Sequence, residues 1–255
     1  MTEKRKFPNW LKWVLGLVLV LGVALASLFI AFDEEKPEGI TGAEAEAMAE
    51  KMLAAINKPA WDTTAIVQWT FKGVHEFLWD KERHLTRVKW NDLEVLLDIN
   101  AIKGRVWQEG KELSGEEAQN RVRQAWEYWC NDSFWLNAPA KCMDPGTSRS
   151  LVTLEDGSQG LMVSYASGGV TPGDSYLWMV DEKGLPSSYK MWVKIIPVGG
   201  MEFTWEDWAT LDTGARIAQM HKGPKLDLDI SNLKGSASME AFGLKADPFL
   251  PILGK

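Results

Sequence analysis

The sequence predicts an α+β fold: an N-terminal transmembrane helix, then a large curved antiparallel sheet, an open half-barrel, with two or more helices on its concave side. Three observations predict it. One apolar run near the N-terminus is as long as a bilayer is thick. Two stretches carry helical spacing behind capping residues. About nine or ten short segments alternate apolar and polar side chains between turn residues, in meanders rather than βαβ units.

The N-terminal element is the first of these. From Trp13 to Phe32 the run WVLGLVLVLGVALASLFIAF holds no charge and no proline. As a helix it extends about 30 Å, the thickness of the hydrocarbon core. Trp10 and Trp13 stand at its start, where interfacial indoles belong. Residues 1–12 form a basic tail with Lys4, Arg5, Lys6 and Lys12, and Asp33, Glu34 and Glu35 follow the run. The positive-inside rule therefore places the N-terminus in the cytoplasm. The expected location is the inner membrane, single-pass, with the body in the periplasm or outside the cell. A signal peptide cleaved after Ala26, at Ala24-Leu25-Ala26, is the alternative. The apolar run continues through Phe32, which favours a retained signal anchor. Both readings export the body.

Charge narrows the partners. The net charge is −7; Glu3, Lys4, Arg5, Lys6 and Lys12 give +3 before the run, which leaves −10 after it. An acidic body repels phosphate backbones, so nucleic acid is excluded as a partner. Fourteen tryptophans among 255 residues point instead to an apolar binding surface or a heavily aromatic core.

After a polar linker at residues 33–40, Thr41 and Glu44 form a capping-box pattern. Ala45, Met48, Ala49, Met52, Leu53 and Ile56 then repeat on one helical face until Asn57 and Pro59 end it. A first strand meander follows. Val67, Trp69 and Phe71 share a face; so do His75, Phe77 and Trp79, then Val88 with Trp90, then Leu93, Val95 and Leu97, and Val106-Trp107 closes it. Ser114 and Glu117 open a second helix with Val122, Ala125, Trp126 and Trp129 on its apolar side. Residues 131–146 read as irregular. Strands resume in a hairpin over 151–165 turning at Asp156-Gly157, then at 175–180, 188–195 and 202–208. The half-barrel domain is expected to span residues 41–222, with 223–255 a loop-rich tail.

This order and texture resemble the periplasmic lipoprotein-carrier family, the outer-membrane lipoprotein-sorting proteins. The matching stretches are the helix Ala43–Ile56, the strand pair around Trp69–Trp79 and the run Phe134-Trp135-Leu136-Asn137-Ala138-Pro139. Tyr176–Asp181 with Gly184-Leu185-Pro186 matches as a strand and turn. The resemblance covers roughly residues 41–220. It implies an unclosed barrel with an apolar cavity for acyl chains. Members of that family are soluble shuttles, which a tethered chain is not. No residue here matches a family ligand contact.

The candidate ligand-lining residues are the aromatics on the expected strands: Trp69, Phe71, Phe77, Trp79, Trp90, Trp107, Trp178, Trp192 and Trp205. They line either a cavity for lipid or another apolar ligand, or a filled core beneath the helices. Cys130 and Cys142 are expected to form a disulfide in an oxidising compartment, with buried free thiols the alternative. No cofactor or metal is expected: two cysteines without a nearby histidine cannot complete a zinc site, and Asp227, Asp229, Glu206 and Asp207 read as solvated surface. His75 reads as a strand histidine on the face of Phe77 and Trp79. Without a nucleophile elbow, a P-loop or an H-E-x-x-H motif, catalysis is not expected. The expectation is thus a tethered binding protein; an envelope protein-interaction module with a packed core is the alternative, and a hydrolase comes third.

Overall fold

The computed structural model describes residues 13–14, 16–18, 33–167, 173–196 and 198–253. Trp13, Val14, Gly16, Leu17 and Val18 are helical and exposed. The rest of the expected span at 13–32 lies outside the described residues. Among the described residues no helix is long and apolar enough to cross a membrane.

Helix α1 is Ala43–Ala55, α2 is Lys58–Thr63, and α3 is Gly115–Asn137. Strands β1 (Ile66–Phe71), β2 (His75–Asp80), β3 (Leu85–Trp90), β4 (Leu93–Asp98), β5 (Lys103–Gln108) and β6 (Lys111–Glu112) form the first meander. After α3 come β7 (Thr147–Thr153), β8 (Gln159–Tyr165), β9 (Ser175–Val180), β10 (Pro186–Trp192) and β11 (Met201–Thr204). The last strands are β12 (Glu206–Thr210), β13 (Arg216–Lys222) and β14 (Asp227–Ser236).

The fold is α+β, but the single curled sheet is resolved into two. A nine-stranded sheet runs β12-β13-β14-β1-β2-β3-β4-β5-β6, and a five-stranded sheet runs β11-β10-β9-β8-β7, all antiparallel. The expected strand at 202–208 is two strands. β11 pairs with β10 in one sheet, β12 pairs with β13 in the other, and Trp205 stands between them with its N–H donating to the Ser187 carbonyl. The first meander obeys hairpin chemistry. At the β5–β6 turn, Glu109 and Gly110 both take positive φ, 48° and 78°, as a two-residue turn matching strand twist requires.

Four further expectations are corrected. The expected loop-rich tail contains β14, the longest strand, which pairs with β1; the register shifts between Gln68 and Thr70. Only residues beyond it run as turns and one short 3₁₀ segment, Met239–Phe242. The first helix is capped by Gly42 at φ 146°, with no side-chain cap bond from Thr41's expected position, and Asn57 in the left-handed region leads straight into α2. Residues 131–137 continue α3, where Asp132 finds a tertiary partner in His75 of β2 and Asn131 bonds Asp132 in turn. The expected disulfide is absent: Cys130 and Cys142 are free. The helix runs seven residues past Cys130, about 10 Å along its axis, before the 3₁₀ turn Ala138–Lys141 that precedes Cys142. A bridge needs Cα atoms within about 7 Å.

α3 packs on β4, β5 and β13, and α1 on β7 and β8. The faces of both sheets that meet these helices form one continuous core. On the outer face of the nine-stranded sheet a second apolar strip, Leu85, Leu96 and Phe249 with Trp107 and Ile252 beside it, lies under the C-terminal segment.

Candidate functional site

The inner face is an aromatic layer built by strand parity. β1 and β2 are in register, Trp69 opposite Phe77 and Val67 opposite Trp79. Trp69 therefore stacks on Phe77 with centroids 4.4 Å apart, and Trp79 meets it edge-on at 6.3 Å. Trp69, Phe71, Phe77, Trp79, Trp90, Trp178 and Trp205 are all buried in this one core. The other two candidates are not in it. Trp107 pairs opposite Glu94, and Trp192 opposite Ser175, so both indoles emerge on the outer faces, each beside a separate small apolar cluster. Spacing within a strand gives which residues share a face, but only pairing between strands says which face it is.

Sequence parity on strands missed the helical half of the layer. Tyr128 of α3 stacks on His75 at 3.9 Å and meets Trp90 edge-on at 5.4 Å; Trp129 meets Trp79 at 5.3 Å. Trp135 packs within 5.5 Å of Tyr189, Phe203 and His221. The apolar repeat of α3 names Trp126 and Trp129, but Trp135 fell in the stretch read as irregular. So the layer is filled. A small hollow within it, lined by Ile56, Trp61, Leu136 and Trp205 among others, measures about 10 Å³, at the lower limit for a single water.

The layer is apolar in substance and unsatisfied in its polar heads. Among the described residues, nine buried polar atoms have no hydrogen-bond partner: Nε1 of Trp69, Trp79, Trp129, Trp178 and Trp205, the hydroxyls of Tyr165 and Tyr189, Asn137 Oδ1 and His221 Nε2. Native cores pair nearly all such groups. Four of these residues form one knot where the sheets meet: Trp205 lies 4.3 Å from His221, 5.0 Å from Trp178 and 5.8 Å from Tyr189, ring to ring. Burial pushes His221 down to about 4, against the opposing pull of the Thr204 backbone carbonyl. Its ring is therefore neutral near pH 7, and Nδ1 donates to the Thr204 carbonyl at 3.2 Å. Burial also raises the Tyr165, Tyr176 and Tyr189 hydroxyls above the ordinary tyrosine range.

One polar pair pins the layer. His75 Nδ1 lies 2.7 Å from Asp132 Oδ2, and Asn131 Nδ2 donates to the other carboxylate oxygen at 2.8 Å. His75 comes from β2 and the buried Asp132 from α3, so the bond fastens helix to sheet. His75 shares the face of Phe77 while Glu76 takes the other, as parity requires.

Other chemistry is sparse. Burial pushes both thiols up to about 12, which suppresses the thiolate. Glu206 pairs with Lys222 at 2.6 Å. Among the described residues no group of three histidine, cysteine or carboxylate side chains is placed to hold a metal. An open cleft of about 780 Å³ lies on the outer face, lined by Val74, Glu76, Lys89, Glu94, Trp107 and Pro251 among others.

No protein-family model matches this chain, and no curated protein matches it. The solved structures similar to it include two bacterial proteins. A DUF1329 family protein from Desulfovibrio piger is 12% identical, covering 79% of this chain and 97% of its own, with a TM-score of 0.39. A domain from Vibrio parahaemolyticus, described as an outer membrane lipoprotein-sorting protein, is 11% identical over 80% of this chain and 98% of its own, with a TM-score of 0.34.

Proposed function

We propose that this chain is a membrane-tethered, exported binding protein whose aromatic layer takes up an amphiphile, such as a lipid or a lipoprotein acyl chain, in place of the face of α3. One observation carries the reading: nine buried polar atoms without a hydrogen-bond partner among the described residues. Each such atom costs about 1–3 kcal/mol. Two of the nine, Trp129 Nε1 and Asn137 Oδ1, belong to α3, and their cost offsets part of the apolar burial that docks the helix. A ligand with an apolar chain and a polar head would replace the aromatic packing and accept from the indole and phenol groups. The tether is residues 13–32, with the N-terminus cytoplasmic and the body in the periplasm or outside the cell. The role is binding rather than catalysis.

The test is native mass spectrometry of the full chain extracted in mild detergent, paired with hydrogen exchange on α3. A co-purifying lipid-sized mass at near-equal stoichiometry, with faster exchange in Gly115–Asn137 when lipid is added, is the expected outcome. An unliganded mass together with unchanged exchange would reject it. The filled layer itself favours a second reading, an envelope protein-interaction module with a packed core. That reading expects crosslinks to another envelope protein and no bound lipid.

A further inference from the structure

The polar linker is clamped rather than loose. Asp33 Oδ1 accepts from the Gly199 N–H at 2.8 Å, and the Glu34 N–H donates to the Gly199 carbonyl at 3.2 Å. Trp192 Nε1 donates to the Glu34 carbonyl at 2.7 Å, and Lys190 Nζ reaches Glu34 Oε2 at 2.7 Å. A Cβ on either Gly199 or Gly200 would collide with Glu34, so this crossing requires glycine at both positions. Farther on, Lys36 reaches Ser175 Oγ at 3.4 Å, and Ile40 exchanges two backbone bonds with Leu151. The linker thus crosses the five-stranded sheet from β10 to β7.

This fixes the position of the residue that follows the apolar run in sequence. Asp33, the first residue after Phe32, is held against the β10–β11 turn. That turn carries Ile195, 70% exposed, while its neighbour Ile196 tucks against the core. Ile195 is four residues from Gly199, no more than about 14 Å along an extended chain. A large aliphatic side chain so exposed, beside the point where a bilayer-length apolar segment terminates, fits the interface of that bilayer. We propose that the β10–β11 turn is the membrane-facing end of the domain and that Ile195 inserts into the lipid interface. The occupant is the same bilayer that holds residues 13–32, so the inference rests on the tether proposed above. The acidic body makes apolar insertion, rather than attraction to anionic headgroups, the contact that works here.

The test uses the full chain in phosphatidylcholine vesicles with single added cysteines, Ile195→Cys, Leu250→Cys or Leu25→Cys, each carrying a polarity-sensitive fluorophore. The native thiols, pushed up to about 12, react slowly at pH 7. Leu250, 60% exposed, lies in the C-terminal segment and serves as the control. The label at 195 should shift to the blue and be quenched at least twofold more than that at 250 by lipids carrying shallow quenchers. The label at 25 should respond to deep quenchers. If 195 stays as aqueous as 250 while 25 is deep, the orientation is wrong and the tether stands. If 25 is aqueous, the tether fails and the inference falls with it.

Discussion

The two faces of the nine-stranded sheet are covered in opposite ways. On the outer face the C-terminal segment is held by directional bonds. Arg83 forks onto Asp247, Arg105 bonds Glu112 and the Pro251 carbonyl, and Lys234 reaches the Ala241 carbonyl. Phe249 is buried among Leu85 and Leu96 beneath them. On the inner face α3 is held by stacked and edge-on rings, with the side-chain pair His75–Asp132 bonding it to the strands of the first meander. A covering fixed by matched donors and acceptors has one geometry. A covering fixed by ring packing is non-directional and leaves its polar heads unmet, which makes it the face where another apolar body could compete.

The first way to break this comparison is Trp69→Ala. Trp69 is fully buried and stacked on Phe77, so the variant should lose about 3–5 kcal/mol in urea unfolding. A loss under 1 kcal/mol would mean the layer is loose enough to collapse around the gap. The second is pH. His221 in the folded chain is depressed from 6.5 to about 4, so the unfolded chain binds the proton first as pH falls. Its contribution is neutral above 6.5, and stability falls between 6.5 and 4 by up to about 3 kcal/mol. Urea melts at pH 7 and pH 4.5 should show this slope in the wild type and a shallower one in His221→Phe, whatever the variant's stability at pH 7. The smallest effect sharpens the contrast. Tyr189→Phe deletes a buried hydroxyl without a partner and should be neutral or stabilising by about 1 kcal/mol. Asp247→Asn, which strips the charge from a partner of Arg83, should cost about 1 kcal/mol on the outer face. Tyr189→Phe as the more damaging of the two would overturn the distinction.

How much of this was legible depends on sequence distance. The meander from Ile66 to Gln108 was readable because each strand pairs with its neighbour through a short turn. The turn at Asp156-Gly157 was readable for the same reason. The run 202–208 gave no sign that Trp205 divides two sheets, since alternation is the same on either side of a sheet change. α3 beyond Cys130 was hidden because Asn, Asp and Ser favour turns until His75 supplies the partner that Asp132 needs in the interior. Of the nine strand aromatics, seven share the inner core and Trp107 and Trp192 lie on the outer faces, a division that only the register between strands decides.

Local physics is therefore what the chain encodes openly: the period-two strands, the helical apolar stripes, the turn residues, the apolar run and the acidic body. Everything that joins distant segments was decided in three dimensions. The pairing of β14 with β1, the clamp of Asp33 on Gly199 and the filling of the aromatic layer by α3 each unite residues far apart in sequence. Their free energy comes from burial and bonds that exist only once the chain has closed on itself, so no window of sequence contains them.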